Sequence, residues 1–481
     1  MMGKLDKPRC GLVLLESLKF KKNGIGNETS GGSYDSRLKQ RAKSLMDDLS
    51  EAFDVIYPGM IFSREKVSQV FKLFVNKDVD FIVAVFMSWS EDFAWIRFLR
   101  DMPNIPLILY LPVDKEIIFG DTRSEDNFVQ FLASSGLVGA LEGSGSIERM
   151  NKKVRVVVEN SGSKEAIRRI KAFGLAAKAK NVLKEAKFGL LKSFNEVMWS
   201  NYVDPYKFFV QVGPEIKFIS FDLLKEKINK VANKDVDSYV KQLEREYRIL
   251  DNVDKKKFFE SAKASIGIAN LAIELELDAV ILNDIDPELH EKIGLRPGFY
   301  HNSFNDNLSV LVPEGDVGTG ALILAIKSMT KKHVNFVEPF YIDIKNNSFA
   351  AGHAGPTDHT DINFKKNVLI TPDTKYEHSS FKFAGAPFAW YRISPGIKTF
   401  AHLSECRDSY KIITTIAESL PGKHLLSGYS YSIFRTKAPV KETFEKILDI
   451  RATQHFAVVD GNLRKELAEF AFISGFNNYS V

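Results

Sequence analysis

Short apolar runs alternate with amphipathic segments through the first third of the chain. Residues 11–15, 80–88 and 106–112 read as buried strands, and 36–53, 63–75 and 91–102 carry helical periodicity. That βαβ rhythm predicts a parallel sheet. A strand at 154–159 and a long helix over 163–186 close the pattern, placing a domain boundary near residue 180. The rhythm restarts with strands at 187–192 and 216–221, helices over 223–231, 236–247 and 255–275, and a strand at 278–283 that ends in Asn283-Asp-Ile-Asp286. A further strand, 309–312, precedes Pro313. Beyond about residue 330 the texture changes to short stretches at 368–371, 381–384, 388–393 and 410–414, broken by Gly, Pro and Asn. These predict an antiparallel sheet or barrel. A helix over 440–448, a strand at 455–459 and a helix over 463–471 finish the chain, and no internal repeat is visible. The expected domains are 1–180, 181–330 and 331–481.

Composition narrows the class without changing the fold. With 481 residues the chain exceeds the size at which one core keeps growing, and 44% hydrophobic with 26% charged residues is ordinary for a globular protein. The formal charge of +5 is the small difference of 66 basic and 61 acidic residues, so nucleic acid is not an expected partner. The basic cluster of Arg168, Arg169, Lys171, Lys178, Lys180 and Lys184 reads as a solvated helix face. Cys10 and Cys406 are the two cysteines, too few for a disulfide framework or a thiolate metal site, and they fit a reducing cytoplasm. The apolar run at 11–15 is too short for a signal sequence, and no segment approaches the length of a membrane helix. A cytoplasmic protein with no membrane partner is expected.

Candidate chemistry concentrates between Pro313 and Asp358, in Glu314-Gly-Asp316, Glu338 and Gly352-His-Ala-Gly355. Two carboxylates and an imidazole make half of a divalent metal site, and such an ion can polarise two neighbouring substrate oxygens. Glu314 follows a strand, where α/β sites form, although an acidic residue also suits a helix start. Glu338 lies in the apolar run 334–341, where an unpaired carboxylate is costly. His353 sits among small residues that admit a ligand or make a turn. His455, taken alone, reads as a core histidine. In the first domain the Gly/Ser/Asn-rich segment 23–34 follows the first strand and lacks a GxGxxG spacing, so it is either a sugar or phosphate contact loop or an ordinary surface loop.

The order of these positions resembles the L-arabinose isomerase and L-fucose isomerase superfamily, and the arabinose branch more closely. Glu314-Gly-Asp-Val-Gly-Thr-Gly-Ala-Leu322 stands where that branch has Glu-Gly-Asp opening a helix with Thr-Ala-Ala-Leu. Asn335-Phe-Val-Glu338-Pro stands for Ser-Phe-Met-Glu-Asp, Ala351-Gly-His353 for Leu-Gly-Ser/Ala-His, and Thr453-Gln-His455-Phe456 for Gly-x-His-His. The stretch from Phe188 to Val197 resembles Phe-Gly-Asp-Asn-Met-Arg-Glu-Val. The likeness is colinear over nearly the whole chain. It implies two Rossmann-like doubly wound α/β domains followed by an antiparallel β-barrel-like domain. It also implies Glu314, Glu338, His353 and His455 as ligands of one divalent ion, manganese or alternatively cobalt. Glu314 and Glu338 would double as acid and base in an aldose-ketose isomerisation through a cis-enediol. A monosaccharide substrate and a homo-oligomer, trimer or hexamer, follow from the same likeness.

The first domain departs from that pattern. Where the branch has a Gln-His pair and a His-Thr-Gln, this chain has Leu14-Leu-Glu-Ser17 and Tyr110-Leu-Pro-Val113, so Leu111 replaces the histidine that would assist ring opening. The sugar is therefore left open. A noncatalytic sugar-binding or regulatory protein, or a metal enzyme acting on a modified sugar, are the alternative readings.

Overall fold

A computed structural model describes residues 7–90, 92–114, 123–361 and 363–481. The chain falls into two compact units, one running through Lys178 and the other spanning Ala179–Val481. In the first, β1 (Arg9–Leu15), β2 (Asp54–Ile56), β3 (Phe81–Phe86), β4 (Leu107–Val113) and β5 (Val154–Asn160) form a parallel sheet in the order β2-β1-β3-β4-β5. Every residue of β3 is buried. A strand covered on both faces leaves no polar alternation, which is why it reads as one apolar run. The loop after β1 is tied down by carboxylates: the Gly26 amide donates to Glu125 Oε1 (3.2 Å) and the Gly31 amide to Asp126 Oδ1 (2.9 Å). Those amides are thus already taken by acidic partners.

The second unit begins with β6 (Lys187–Leu191), β7 (Glu215–Ile219), a two-residue β8 (Arg248–Ile249), β9 (Ala279–Leu282) and β10 (Val310–Val312). Its parallel sheet has the order β10-β9-β6-β7. The remaining strands are β11 (Val334–Asp343), β12 (Ser348–His353), β13 (Leu369–Pro372), β14 (Pro387–Trp390), β15 (Gly396–Glu405), β16 (Tyr410–Ser419), β17 (Ser430–Thr436), β18 (Phe456–Asp460) and β19 (Asn477–Ser480). Six of them close a barrel in the order β15-β18-β11-β12-β17-β16, with β16 pairing back onto β15 and every pairing antiparallel. Closure removes the exposed edges that an open sheet of this width would present. Outside the ring, β19 adds parallel to β16, and β8, β13 and β14 form a small separate sheet.

The molecule is therefore mixed α/β, with two parallel sheets and a closed six-stranded barrel. One expected strand is absent: residues 381–384 form turns instead, with Ala384 N–H donating to Phe381 O, Ala386 N–H to Phe383 O, and Gly385 in the left-handed region at φ 72°. The apolar run there serves packing, since Phe383 belongs to the core beside Leu289 and Leu295.

One helix links the second parallel sheet to the barrel. Val317–Thr330 packs against β10 on one side and β15, β11 and β18 on the other, and Val317 through Met329 are all buried. A helix apolar all round must be enclosed on every face. Its N-terminus therefore arrives, fixed, at the carboxyl end of β10.

Candidate metal centre

Glu314 sits in the turn between β10 and that helix, with φ 57°, a conformation in which a side chain other than Gly or Asn is uncommon. Neighbouring groups over-determine it. The Glu314 amide donates to Asp284 Oδ1 (2.8 Å), and the Gly315 amide, at φ 69°, donates to Leu282 O (3.2 Å). Asp316 then caps the helix, accepting the Thr319 amide (2.8 Å) and hydroxyl (2.9 Å). Local strain of this kind, held by surrounding bonds, clusters at functional sites.

His353 ends β12, and His455 lies immediately before β18. Between those two strands runs β11, carrying Glu338 opposite Gly352. Gly352 is required there, because an added Cβ would lie 2.0 Å from Ser430 O on β17. The register thus delivers both imidazoles to the barrel end that faces Glu314. His455 Nε2 lies 3.1 Å from Glu314 Oε2, and His353 Nε2 lies 3.4 Å from Oε1. One ligand atom from each of Glu314, His353 and His455 lies within 4.8 Å of the others, and all three residues are buried.

Both rings are held through the opposite nitrogen. His455 Nδ1 donates to Asp316 Oδ2 (2.8 Å), with the Asn201 amide nitrogen 3.2 Å away, and His353 Nδ1 donates to the Ala354 carbonyl. A histidine fixed through one nitrogen presents the other as a ligand in a defined orientation. Behind His455, the buried His402 of β15 donates from Nδ1 to the His455 carbonyl (2.7 Å) and accepts the Thr453 amide at Nε2 (3.2 Å). Burial pushes His402 down to about 4, so it works as a neutral donor and acceptor.

The electrostatics follow the geometry. Burial alone would lower His455, yet the bonds to Asp316 and Glu314 and their charges hold it at about 9. For Glu314, burial acts to raise its pKa, but the two histidines outweigh it and keep the carboxyl far below its ordinary range. Burial, reinforced by the Glu314 charge, pushes Asp284 up.

Of the four residues expected as ligands, Glu314, His353 and His455 come together. Glu338 stands apart from that trio, half-buried, with its Oε1 accepting the Tyr429 hydroxyl. Tyr429 is anchored by its own carbonyl, which accepts Trp390 Nε1 (2.9 Å), and its ring lies 6.2 Å from that of His353. Burial and the adjoining Glu338 raise the Tyr429 pKa, so the phenol stays protonated and donates.

The trio suits a divalent ion. His353 Nε2 is buried without a hydrogen-bond partner while facing a carboxylate. Two imidazoles and one carboxylate form a mixed nitrogen and oxygen donor set for a first-row divalent metal, with positions left for other oxygens. Asp316, Tyr429 and His402 support the site and were not among the residues expected from the sequence as ligands or catalysts. Asp316 carried a readable signal, as the acid of Glu-Gly-Asp at a helix start.

No family model matches the chain, and no curated protein does. Among solved structures, the chain is similar to an ABC sugar transporter, a periplasmic sugar-binding protein, from Legionella pneumophila. Identity is 12% and the TM-score 0.15, over 67% of this chain and 93% of that one. A likeness at that level does not establish a common fold. Among the described residues, no helix is long and apolar enough to cross a membrane.

Proposed function

We propose that the protein is a metal-dependent aldose-ketose isomerase, with Glu314, His353 and His455 holding one divalent ion and Glu338 moving the proton. The observation that carries this reading is the convergence of two histidine Nε2 atoms on the two oxygens of one buried Glu314. We further read both parallel sheets as Rossmann-like and doubly wound, and the ion as manganese or cobalt. When bound, the ion would polarise the substrate's O1 and O2 and so acidify the C2 proton.

The chain's residues divide the remaining work. Both oxygens of Glu314 face histidines, which leaves that carboxylate engaged in holding the centre. Glu338 has one oxygen on Tyr429, so it is the carboxylate to take a proton from C2 and return it to C1 through an enediol, while the C2 hydroxyl proton passes to O1 of the same substrate. Tyr429 orients it by donating to Oε1. A positioned base of this kind contributes about 10²–10⁴-fold. We place the substrate among monosaccharides and the working form in a homo-oligomer.

The test is to strip the protein with chelator, restore manganese, and assay a panel of aldoses for ketose, with Glu338→Gln alongside. Metal-loaded protein should form ketose from at least one sugar. Glu338→Gln should lose roughly 10²–10⁴-fold in kcat while retaining the ion. Absence of turnover on every aldose by protein that demonstrably binds the ion would sink the catalytic reading in favour of a sugar-binding role.

A further inference from the structure

Asp284 is left unused by that scheme. It lies two residues past the end of β9, at the carboxyl end of the second unit's parallel sheet, where such sheets bind ligands. Its side chain is wholly buried. Oδ1 accepts the Glu314 amide, whereas Oδ2 has no hydrogen-bond partner. A buried carboxylate oxygen with nothing to accept is expensive, and such an atom in a native fold points to a ligand or water that completes it.

The surroundings of Oδ2 are fixed. Arg296 Nη1 lies 3.9 Å away, and that buried guanidinium is itself gripped by Asp373, Nε at 2.8 Å and Nη2 at 2.7 Å from the same oxygen. Its plane lies over the Tyr376 ring, 4.9 Å to the centroid. Gly355, at φ 95°, passes so close that an added Cβ would lie 2.6 Å from Oδ2. Gly355 is two residues from His353, so the oxygen and the imidazole belong to one locality. A cleft of about 690 Å³ is lined by Ile285, the residue after Asp284, and by Tyr376, whose ring lies under Arg296, with Pro287, His290 and Phe381 among others.

We propose that Asp284, braced by Arg296, accepts a hydroxyl of the substrate and decides which polyhydroxylated compounds the centre admits; this rests on the reading of the centre as a sugar site. Arg296 does not make the place anionophilic, because Asp284 and Asp373 flank it and Glu314 lies behind. An uncharged hydroxyl donor satisfies Oδ2, while a phosphate or carboxylate would meet three acids. Asp284 is thus a specificity-determining residue, distinct from those that hold the ion or move the proton.

The experiment is calorimetric titration of manganese-loaded protein with ribitol and L-arabinitol, unreactive polyols, in wild type and Asp284→Asn. Asparagine keeps an oxygen for the Glu314 amide and puts an amide nitrogen, which cannot accept, in place of Oδ2. Manganese affinity should stay within about threefold, and polyol affinity should fall on the order of 10–100-fold. If Asp284→Asn does not fold, Arg296→Lys, which keeps the charge and loses the fork, should weaken polyol binding while retaining the ion. Unchanged polyol affinity in the variant overturns the proposal, as does loss of manganese in parallel with polyol. Wild-type protein that binds polyols in an Asp284-dependent way yet isomerises no aldose leaves the subsite standing and removes the isomerase reading alone.

Discussion

At the scale of single residues, the centre is a competition between a proton and an ion for the same nitrogen. His455 stands at about 9 without a metal, because Asp316 and Glu314 outweigh its burial. Its folded value lies above the ordinary histidine range near 6.5, so its contribution to the stability of the metal-free protein is complete below about pH 6.5 and disappears as pH rises through about 9. A divalent ion needs the deprotonated nitrogen. Manganese affinity should therefore rise with pH up to about 9, by about tenfold per unit for one displaced proton. Titration in two buffers of different ionisation enthalpy would count that proton. Affinity independent of pH between 6.5 and 9 would remove His455 from the ligand set. The melting temperature of chelated protein should fall over the same window.

At the scale of elements, the buried helix Val317–Thr330 and the barrel end depend on one aspartate. Asp316 caps the helix through Thr319 and simultaneously orients His455. The two duties can be separated by substitution. Asp316→Asn preserves a capping oxygen, so above about pH 9, where His455 no longer draws stability from the Asp316 charge, stability should change little while the ion loses about 10–100-fold in affinity, as expected for a lost carboxylate behind a metal-binding histidine. Asp316→Ala should lose the ion similarly and about 1 kcal/mol of stability besides. Equal stability loss in both variants, measured by urea unfolding, would contradict the division. The same turn explains what was legible in the sequence. Glu314 was marked by its place after a strand, and Asp284 lay in a visible Asn-Asp run at another strand end. Tyr429 and His402 had no such marker, because each reaches the site only through barrel pairings between residues far apart in the chain. Arg296 gave no sign because its function depends on Asp284 and Asp373, which approach it only in the fold.

At the scale of the whole molecule, legibility divided along the same line. The parallel strands β1, β3, β4, β6 and β9 showed as apolar runs since both of their faces are covered. The barrel was expected only as an antiparallel sheet or barrel of short stretches, because the closing pair β15–β16 and the order of β18 and β11 are set by long-range register and not by any local signal. The residues of the metal centre all lie within Ala179–Val481. Ion binding stabilises what binds it by an amount set by concentration over Kd, about 2.7 kcal/mol at a hundredfold excess. Amides whose opening disrupts the centre should slow in hydrogen exchange when manganese is added: those of the turn at 314–316, the end of β12, and the start of β18. Those of β1 to β5 should exchange as before, because none of their residues contributes a ligand. Protection spread evenly over both units would mean that the ion acts on the fold as a whole. No protection at the three ligand segments, with manganese demonstrably bound, would place the ion at some other site.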